Sequence, residues 1–538
     1  MCKEKLLLSG NEAVARGAWE AGVKAGTGYP GTPSTEILEN LHKYAGVECE
    51  WSVNEKVALE VGLGASYAGA RTLVTMKHVG VNVAADPLFT AVYTGVNGGL
   101  VIVTADDPDM HSSQNEQDNR HYARSAKLPM LEPSDSQEVK EYAIKAFEIS
   151  EEFDTPVFLR MVTRIAHSMT VVEPGERHEH AVSGFTRNLR KYVMVPGFAR
   201  ERHKVVEKRL IDIEKNAGRL GMYRIENLPE DHAKTGIVTA GICYTYVKEV
   251  FPEMPVFKLG MVHPLPGREL LEFCAEFDEV IVVEELDPFI EDYLKARGVK
   301  TRGKDVLPII GEYTPSMLRN AFGGAKQVNN VPALPFALPS RPPGLCAGCP
   351  HRTIYEILSK MGATVSGDIG CYALGALPPF HAMDTCVDMG ASITVAQGME
   401  IAVGREKTAK TVAVIGDSTF AHSGITGLIN ASYNKRHTLT IVLDNGTTAM
   451  TGMQPNPLSG ETINGVPTWA LDYRKLAEAV GLKDENIKIV DAYKKTEVED
   501  ALNELIERNE LSLLVIKGPC MINQRKKKKR QPLDGGGL

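Results

Sequence analysis

Thr411-Val412-Ala413-Val414-Ile415-Gly416-Asp417-Ser418, then a run of small and apolar residues, then Leu439-Thr440-Ile441-Val442-Leu443-Asp444-Asn445, is the stretch that decides the fold. The first apolar run has the length and β-branched content of a buried strand, and it stops at a glycine turn. Ile425 to Asn434 reads as a helix and Leu439 to Leu443 as a second strand. The unit is therefore strand, turn, helix, strand, as in doubly wound α/β folds. Asp417 and Asn445 then fall at the carboxyl ends of two neighbouring parallel strands, where open α/β sheets bind ligands. A carboxylate with an amide oxygen suits Mg2+, which takes a few protein oxygens and completes its octahedron with phosphate. The plain alternative is an ordinary turn carrying a surface Asp and Asn.

Near the N-terminus the chain reads Gly28-Tyr29-Pro30-Gly31-Thr32-Pro33-Ser34-Thr35-Glu36, and later Trp51-Ser52-Val53-Asn54-Glu55-Lys56. Glu55 opens an amphipathic helix, expected to run to Ala70 and rich in Gly and Ala. A carboxylate in the first turn of a helix is favoured by the dipole, so a simple capping acid is the plain reading of Glu55.

Together these segments carry a resemblance. A Gly-Asp pair followed by an Asn about thirty residues later resembles the thiamine diphosphate motif. Tyr29 to Glu36, Asn54-Glu55-Lys56, Met76-Lys77-His78-Val79-Gly80-Val81-Asn82 and Ser112-Ser113-Gln114-Asn115-Glu116-Gln117-Asp118 resemble the 2-oxoacid:ferredoxin oxidoreductases, nearest the large subunit of the indolepyruvate branch. Cys346-Ala347-Gly348-Cys349-Pro350-His351-Arg352 and Gly416-Asp417-Ser418-Thr419-Phe420 continue the likeness, which covers residues 5 to 522.

The resemblance implies an α/β fold with two doubly wound thiamine-binding domains, one for the pyrimidine and one for the pyrophosphate. A transketolase C-terminal-like α/β domain would lie between them. The sequence divides accordingly. Residues 1–185, with strands expected at Leu100–Thr104 and Pro156–Met161, would be the pyrimidine domain. Residues 186–231 read as a charged linker and solvent-facing helix. Residues 232–330, with strand–glycine patterns at Thr235–Gly241 and Glu279–Glu285, would be the middle domain. Residues 331–343 carry five prolines and read as an extended connector. Residues 344–522 would be the pyrophosphate domain, and 523–538 a basic, then Gly-rich, tail.

Length and composition agree. At 538 residues the chain has room for about three domains. No apolar run approaches the roughly 20 residues of a membrane span. The start, Met1 to Gly10, turns polar too soon for a signal peptide, so a cytoplasmic protein is expected. A net charge of −8 gives no reason to expect nucleic acid. The run Arg525-Lys526-Lys527-Lys528-Lys529-Arg530 stands apart; it would attract an anionic partner, though a solvated tail is the simpler reading.

Nine cysteines are scattered without a secreted framework. Cys346 and Cys349 form a Cys-x-x-Cys, Cys371 follows in Gly370-Cys371-Tyr372, and Cys520 follows Pro519. Thiolates hold iron–sulfur clusters, usually four to a cubane. The related oxidoreductases carry a cluster beside thiamine on cysteines in this order, so the resemblance implies a [4Fe–4S] site here. Zinc, or free thiols in a turn, are the alternatives. Cys2, Cys49, Cys243, Cys274 and Cys386 read as buried or incidental.

The resemblance further assigns roles. Glu55 would contact the pyrimidine nitrogen and Thr32 the substrate carboxylate, as catalytic residues. Gly370, Tyr372, Met389, Gly390, Gly416, Asp417, Ser418 and Asn445 would bind the cofactor. Asp417, Asn445 and the Thr447 backbone oxygen would hold Mg2+. Lys77, His78, Arg120 and His422 are further polar candidates. The implied reaction is thiamine-dependent oxidative decarboxylation of a 2-oxoacid, an aryl pyruvate such as indolepyruvate favoured, with coenzyme A taking the acyl group. The implied partners are the small companion subunit of the family and ferredoxin or another iron–sulfur electron carrier. The family's large subunit ends in cysteine-rich ferredoxin-like runs that are not found before Leu538, so electrons are expected to leave through another subunit or another outlet. A non-oxidative thiamine decarboxylase or carboligase is the competing reading. A subunit that keeps the fold without the cofactor is opposed by the intact Glu55, Asp417 and Asn445.

Overall fold

The structure is a computed structural model that describes residues 5–323, 336–339 and 341–530, with side chains to 527. The chain divides into two compact units, Met1–Pro332 and Ala333–Leu538. Of the expected connector 331–343, residues 331–335 and 340 lie outside the described residues, as do Cys2 and the Gly-rich end.

The strands of the first unit are β1 (Leu6–Ser9), β2 (Ala25–Gly28), β3 (Glu48–Trp51), β4 (Thr72–Lys77), β5 (Leu100–Asp106), β6 (Met130–Leu131), β7 (Val157–Val162), β8 (Met169–Val172), β9 (Tyr223–Glu226), β10 (Ala233–Ala240), β11 (Val256–Leu259), β12 (Met261–His263), β13 (Phe277–Val283) and β14 (Thr301–Arg302). A seven-stranded sheet has the order β12-β6-β7-β5-β4-β2-β3. Its strands run parallel except β12, which pairs antiparallel with β6. Every residue of β4 and β5 is buried, as a strand covered on both faces requires. A five-stranded sheet, β14-β13-β10-β11-β9, follows.

Sheet membership crosses the limits drawn from sequence. β9 precedes residue 232 yet belongs to the five-stranded sheet, and β12 leaves that segment to join the first sheet. Buried ion pairs bind the two sheets further: Arg120 holds Asp118 on its own side and Glu284 at the end of β13. The charged stretch does form a helix, Pro196–Asn216, but it is not simply solvent-facing. Val206, Arg209 and Ile213 are buried, and Arg209 donates to the Val92 carbonyl at 2.8 Å. The methylenes of Arg bury while its head finds a carbonyl, so charge alone misjudged that face.

The second unit contains one parallel sheet, formed by β15 (Thr364–Gly367), β16 (Thr385–Cys386), β17 (Thr411–Gly416), β18 (Leu439–Asp444), β19 (Ile487–Asp491) and β20 (Ser512–Lys517) in the order β16-β15-β17-β18-β20-β19. The period of two along β17 splits the core. Val412 and Val414 pack with Ile354, Leu358 and Leu502 on one face. Ala413 and Ile415 pack with Ile393, Ala396 and Leu428 on the other. Those residues come from helices His351–Met361 and Lys495–Arg508 on the first face, Ala391–Val403 and Ile425–Tyr433 on the second. Strands covered by helices on both faces are the doubly wound architecture. After β20 the chain enters helix Met521–Arg530, so the basic run is helical, with Arg525, Lys526 and Lys527 exposed, and Lys527 pairs with Glu461 at 3.0 Å.

Candidate functional site

In the first unit the expected residues sit at the carboxyl ends of adjacent parallel strands. Tyr29 to Glu36 leaves β2, Asn54-Glu55 follows β3, and Lys77-His78 closes β4. The helix after β3 spans Glu55–Tyr67, and Asn54 caps it: its side chain accepts from the Val57 N–H at 2.9 Å. Capping therefore falls to Asn54 rather than to Glu55. Glu55 is buried at 5% exposure, against Gly80 one turn into the helix after β4. Thr32 is half-buried in the first loop. His78 is buried, with Nε2 3.2 Å from the Asn115 carbonyl, and burial pushes its ring down to about 4. Arg120, a candidate for substrate contact, is committed elsewhere. Its guanidinium serves Asp118, Glu284 and the carbonyls of Glu285 and Asp287.

In the second unit Asp417 and Asn445 follow β17 and β18, which pair in parallel register through Gly416 and Leu443. Asp417 is buried, and Asn456 donates to its Oδ2 at 3.1 Å. Among the described residues no cation pairs with it. Burial, with Asp444 nearby, pushes its carboxyl up to about 7. A buried carboxylate surrounded by neutral donors is costly unless a cation joins it, so the donor set fits Mg2+. Asn445 Oδ1 accepts from the Thr447 N–H at 3.1 Å, and Thr447 is itself buried. Ser418 accepts from Thr448 Oγ1 at 2.8 Å.

The other expected cofactor residues pack around these. The Tyr372 ring lies over Gly370 and Gly416: a Cβ on either glycine would stand 2.4 Å from Tyr372 Cε1. Tyr372 donates to the Ile369 carbonyl at 2.8 Å. Gly390 gives its N–H to Asp368 at 2.9 Å, and Met389 beside it is half-buried. His422 is buried, with Nδ1 2.6 Å from Ser423 Oγ.

The four cysteines meet. Cys346, Cys349, Cys371 and Cys520 line one cavity of about 80 Å3 with Leu345, His351, Leu374, Met453, Met521 and Ile522. Cys520 arrives just after β20 and its N–H bonds to the Asn445 carbonyl at 3.1 Å. Burial, then the neighbouring sulfurs, pushes the Cys371 thiol up to about 12 and helps raise Cys349 to about 11. Four thiols lining one largely apolar hollow, Cys346 on its exposed side, fit a metal site, which binds thiolates and removes their protons. Asn445 lines this same cavity. Cys49, Cys243 and Cys274 are buried, and Cys386 is exposed.

Three residues were not legible as part of this site. His351 is buried, with Nε2 3.3 Å from Asn445 Nδ2, and burial pushes it down to about 4. Its place two residues after Cys349 was the available signal. Asp368 accepts from the Gly390 and Ser392 N–H groups and so fixes the start of helix Ala391–Val403. Asn456 reaches Asp417 from a loop with no periodic pattern.

Comparison with known proteins completes the picture. Residues 16–208 match the family model described as pyruvate flavodoxin/ferredoxin oxidoreductase, thiamine diP-binding. Residues 368–516 match the thiamine pyrophosphate enzyme, C-terminal TPP binding domain. The chain is 40% identical to indolepyruvate oxidoreductase subunit IorA of Archaeoglobus fulgidus, over 98% of this chain and 88% of that protein. It is 41% identical to the subunit of the same name from Methanothermobacter thermautotrophicus, over 97% and 87%. A solved 2-oxoglutarate:ferredoxin oxidoreductase from Magnetococcus marinus aligns at TM-score 0.49 and 17% identity, over 59% of this chain and 64% of that one. The chain belongs to the indolepyruvate oxidoreductase subunit IorA family, whose members are thiamine-dependent oxidoreductases of 2-oxoacids.

Proposed function

We propose that this chain is the catalytic large subunit of a cytoplasmic 2-oxoacid:ferredoxin oxidoreductase, with aryl pyruvates such as indolepyruvate as substrates and coenzyme A as acyl acceptor. The observation that carries the reading is the cavity lined by all four expected cysteines and by Asn445, beside Asp417 at the neighbouring strand end. A non-oxidative thiamine enzyme has no use for such a cavity.

Residues 1–185, with β12 added at the sheet edge, then form the pyrimidine-binding domain, β9 and the rest of 232–330 the transketolase C-terminal-like domain, and 344–522 the pyrophosphate-binding domain. Thiamine diphosphate, when bound, supplies the nucleophilic carbon and electron sink that 2-oxoacid decarboxylation requires. Asp417 and Asn445 hold Mg2+ with the Thr447 carbonyl, and Asn456 steadies Asp417. Gly416 and Ser418 keep the backbone close to the diphosphate. Glu55 would contact the pyrimidine nitrogen through its carboxyl, and Thr32 would orient the substrate. Cys346, Cys349, Cys371 and Cys520 hold a [4Fe–4S] cluster as the one-electron acceptor. The companion subunit of the family completes the assembly, and ferredoxin or an iron–sulfur subunit receives the electrons. Among the described residues no helix is long and apolar enough to cross a membrane.

The test is product analysis. The complex, purified without oxygen, is given phenylpyruvate or indolepyruvate with coenzyme A and methyl viologen. Acyl-CoA and reduced viologen are expected in step. Free aldehyde with no dye reduction would establish the non-oxidative reading instead.

A further inference from the structure

Lys77 is the last residue of β4, and its side chain is buried with no ion pair among the described residues. Its ammonium donates to the Ser112 carbonyl. The carboxylate that acts on it most is Asp107, but Asp107 is engaged by the Ser112 N–H and by the hydroxyls of Ser113 and Thr163. Burial pushes the ammonium down to about 8, with Asp107 pulling the other way. Buried cations are nearly always paired, because desolvation without a counter-ion is expensive. His78 beside it is held neutral near pH 7 by burial and cannot share the role.

The surroundings give the charge a purpose. A Cβ on Gly31 would stand 3.0 Å from Lys77 Cβ and 3.8 Å from its Cδ, so the loop carrying Thr32 lies along the lysine stem. Gly80, three residues on, lies against the Glu55 carboxyl. The lysine thus lies along the loop that carries Thr32, and it precedes by three residues the glycine that faces Glu55.

We propose that Lys77 is the counter-ion for the 2-oxoacid carboxylate, taking that anion in place of the Ser112 carbonyl it holds in the free chain. The assignment rests on the functional reading above and names the residue that gives it its preference for an acid. It carries a kinetic signature. The carboxylate leaves as CO2, so a contact to it is made in the ground state and weakens in the transition state. Removing such a contact raises KM without lowering kcat.

The experiment compares wild type, Lys77→Met, Lys77→Gln and Lys77→Arg in the complete complex, with phenylpyruvate as substrate and viologen as acceptor. Hydrogen bonds to charged groups of this kind correspond to about 10- to 150-fold in affinity. KM should rise by that factor in the Met and Gln variants and recover in part in Arg, and kcat should not fall. Calorimetry with 3-phenylpropionate, a carboxylate with no reactive keto group, should show the same loss, while thiamine diphosphate binding is unchanged. The methyl ester of 3-phenylpropionate should bind wild type and Lys77→Met alike. If 3-phenylpropionate binds every variant equally, or kcat falls while KM stays, Lys77 is not the carboxylate partner. If wild type oxidises no 2-oxoacid, the functional reading fails first and this assignment with it.

Discussion

Gly80 faces Glu55 so closely that no side chain fits between them: a Cβ at position 80 would stand 2.7 Å from Glu55 Cγ and Oε1 and 3.0 Å from Cδ. The absence of a side chain there sets where the carboxyl rests. Gly80→Ala gains helix propensity of up to about 1 kcal/mol yet forces the carboxyl to move. Misplacing a reacting group by about 1 Å costs on the order of 10²-fold. A variant of normal or raised melting temperature with turnover down by that order is the expected outcome. Unchanged turnover would separate Glu55 from the chemistry.

Glu55→Gln tests the acid itself without the steric change. The amide keeps shape and burial but cannot exchange the proton. Turnover should drop by about 10²- to 10⁴-fold, with thiamine diphosphate still bound by fluorescence titration. Near-normal turnover contradicts the assignment.

Asp417→Ala removes the buried carboxylate that has no cation partner among the described residues. Thiamine diphosphate binding should weaken sharply, and excess Mg2+ should restore it only in part. Because an uncompensated buried charge is also removed, the empty variant should melt no lower than the empty wild type. Calorimetry showing unchanged cofactor affinity would refute the ligand role.

Glu285, in the first unit, gives a pH signature of its own. It is buried, accepts the Tyr313 N–H at 2.8 Å, and burial pushes its carboxyl up to about 7 from an ordinary value of 4.5. Below the unfolded value the group is protonated in both states and contributes nothing. Between about 4.5 and 7 the unfolded chain ionises first, so the folded state loses stability as pH rises. Glu285→Gln should therefore melt higher than wild type at pH 8, by on the order of a few kcal/mol, and equally at pH 4. Parallel melting curves of the two proteins across that range would remove Glu285 from the account.

Much of this was legible because it is local. β17, its glycine turn, the following helix and β18 lie within one stretch, and complete burial along Val412 to Ile415 matches the expected buried strand. The cysteines were legible as an ordered set, although Cys520 reaches the others only through the pairing of β20 with β18. Contacts between distant segments were not. Arg120 looked free until Glu284 closed on it from a strand more than 150 positions away. Asn456 reaches Asp417 from an irregular loop, where neither periodicity nor capping marks a position. The joining of β12 to the first sheet needs only a few residues of pairing, too few to show in a pattern.

In the proposed function, the cavity of Cys346, Cys349, Cys371 and Cys520 holds the cluster through which the substrate is oxidised. Iron and acid-labile sulfide, measured in the anaerobically purified chain and in Cys520→Ala, test it most directly. About four of each per chain are expected in wild type, with visible charge-transfer absorption. Cys520→Ala should lose both and cease to reduce the acceptor while still binding thiamine diphosphate. A chain with no iron that retains full oxidative activity in the complex would contradict it.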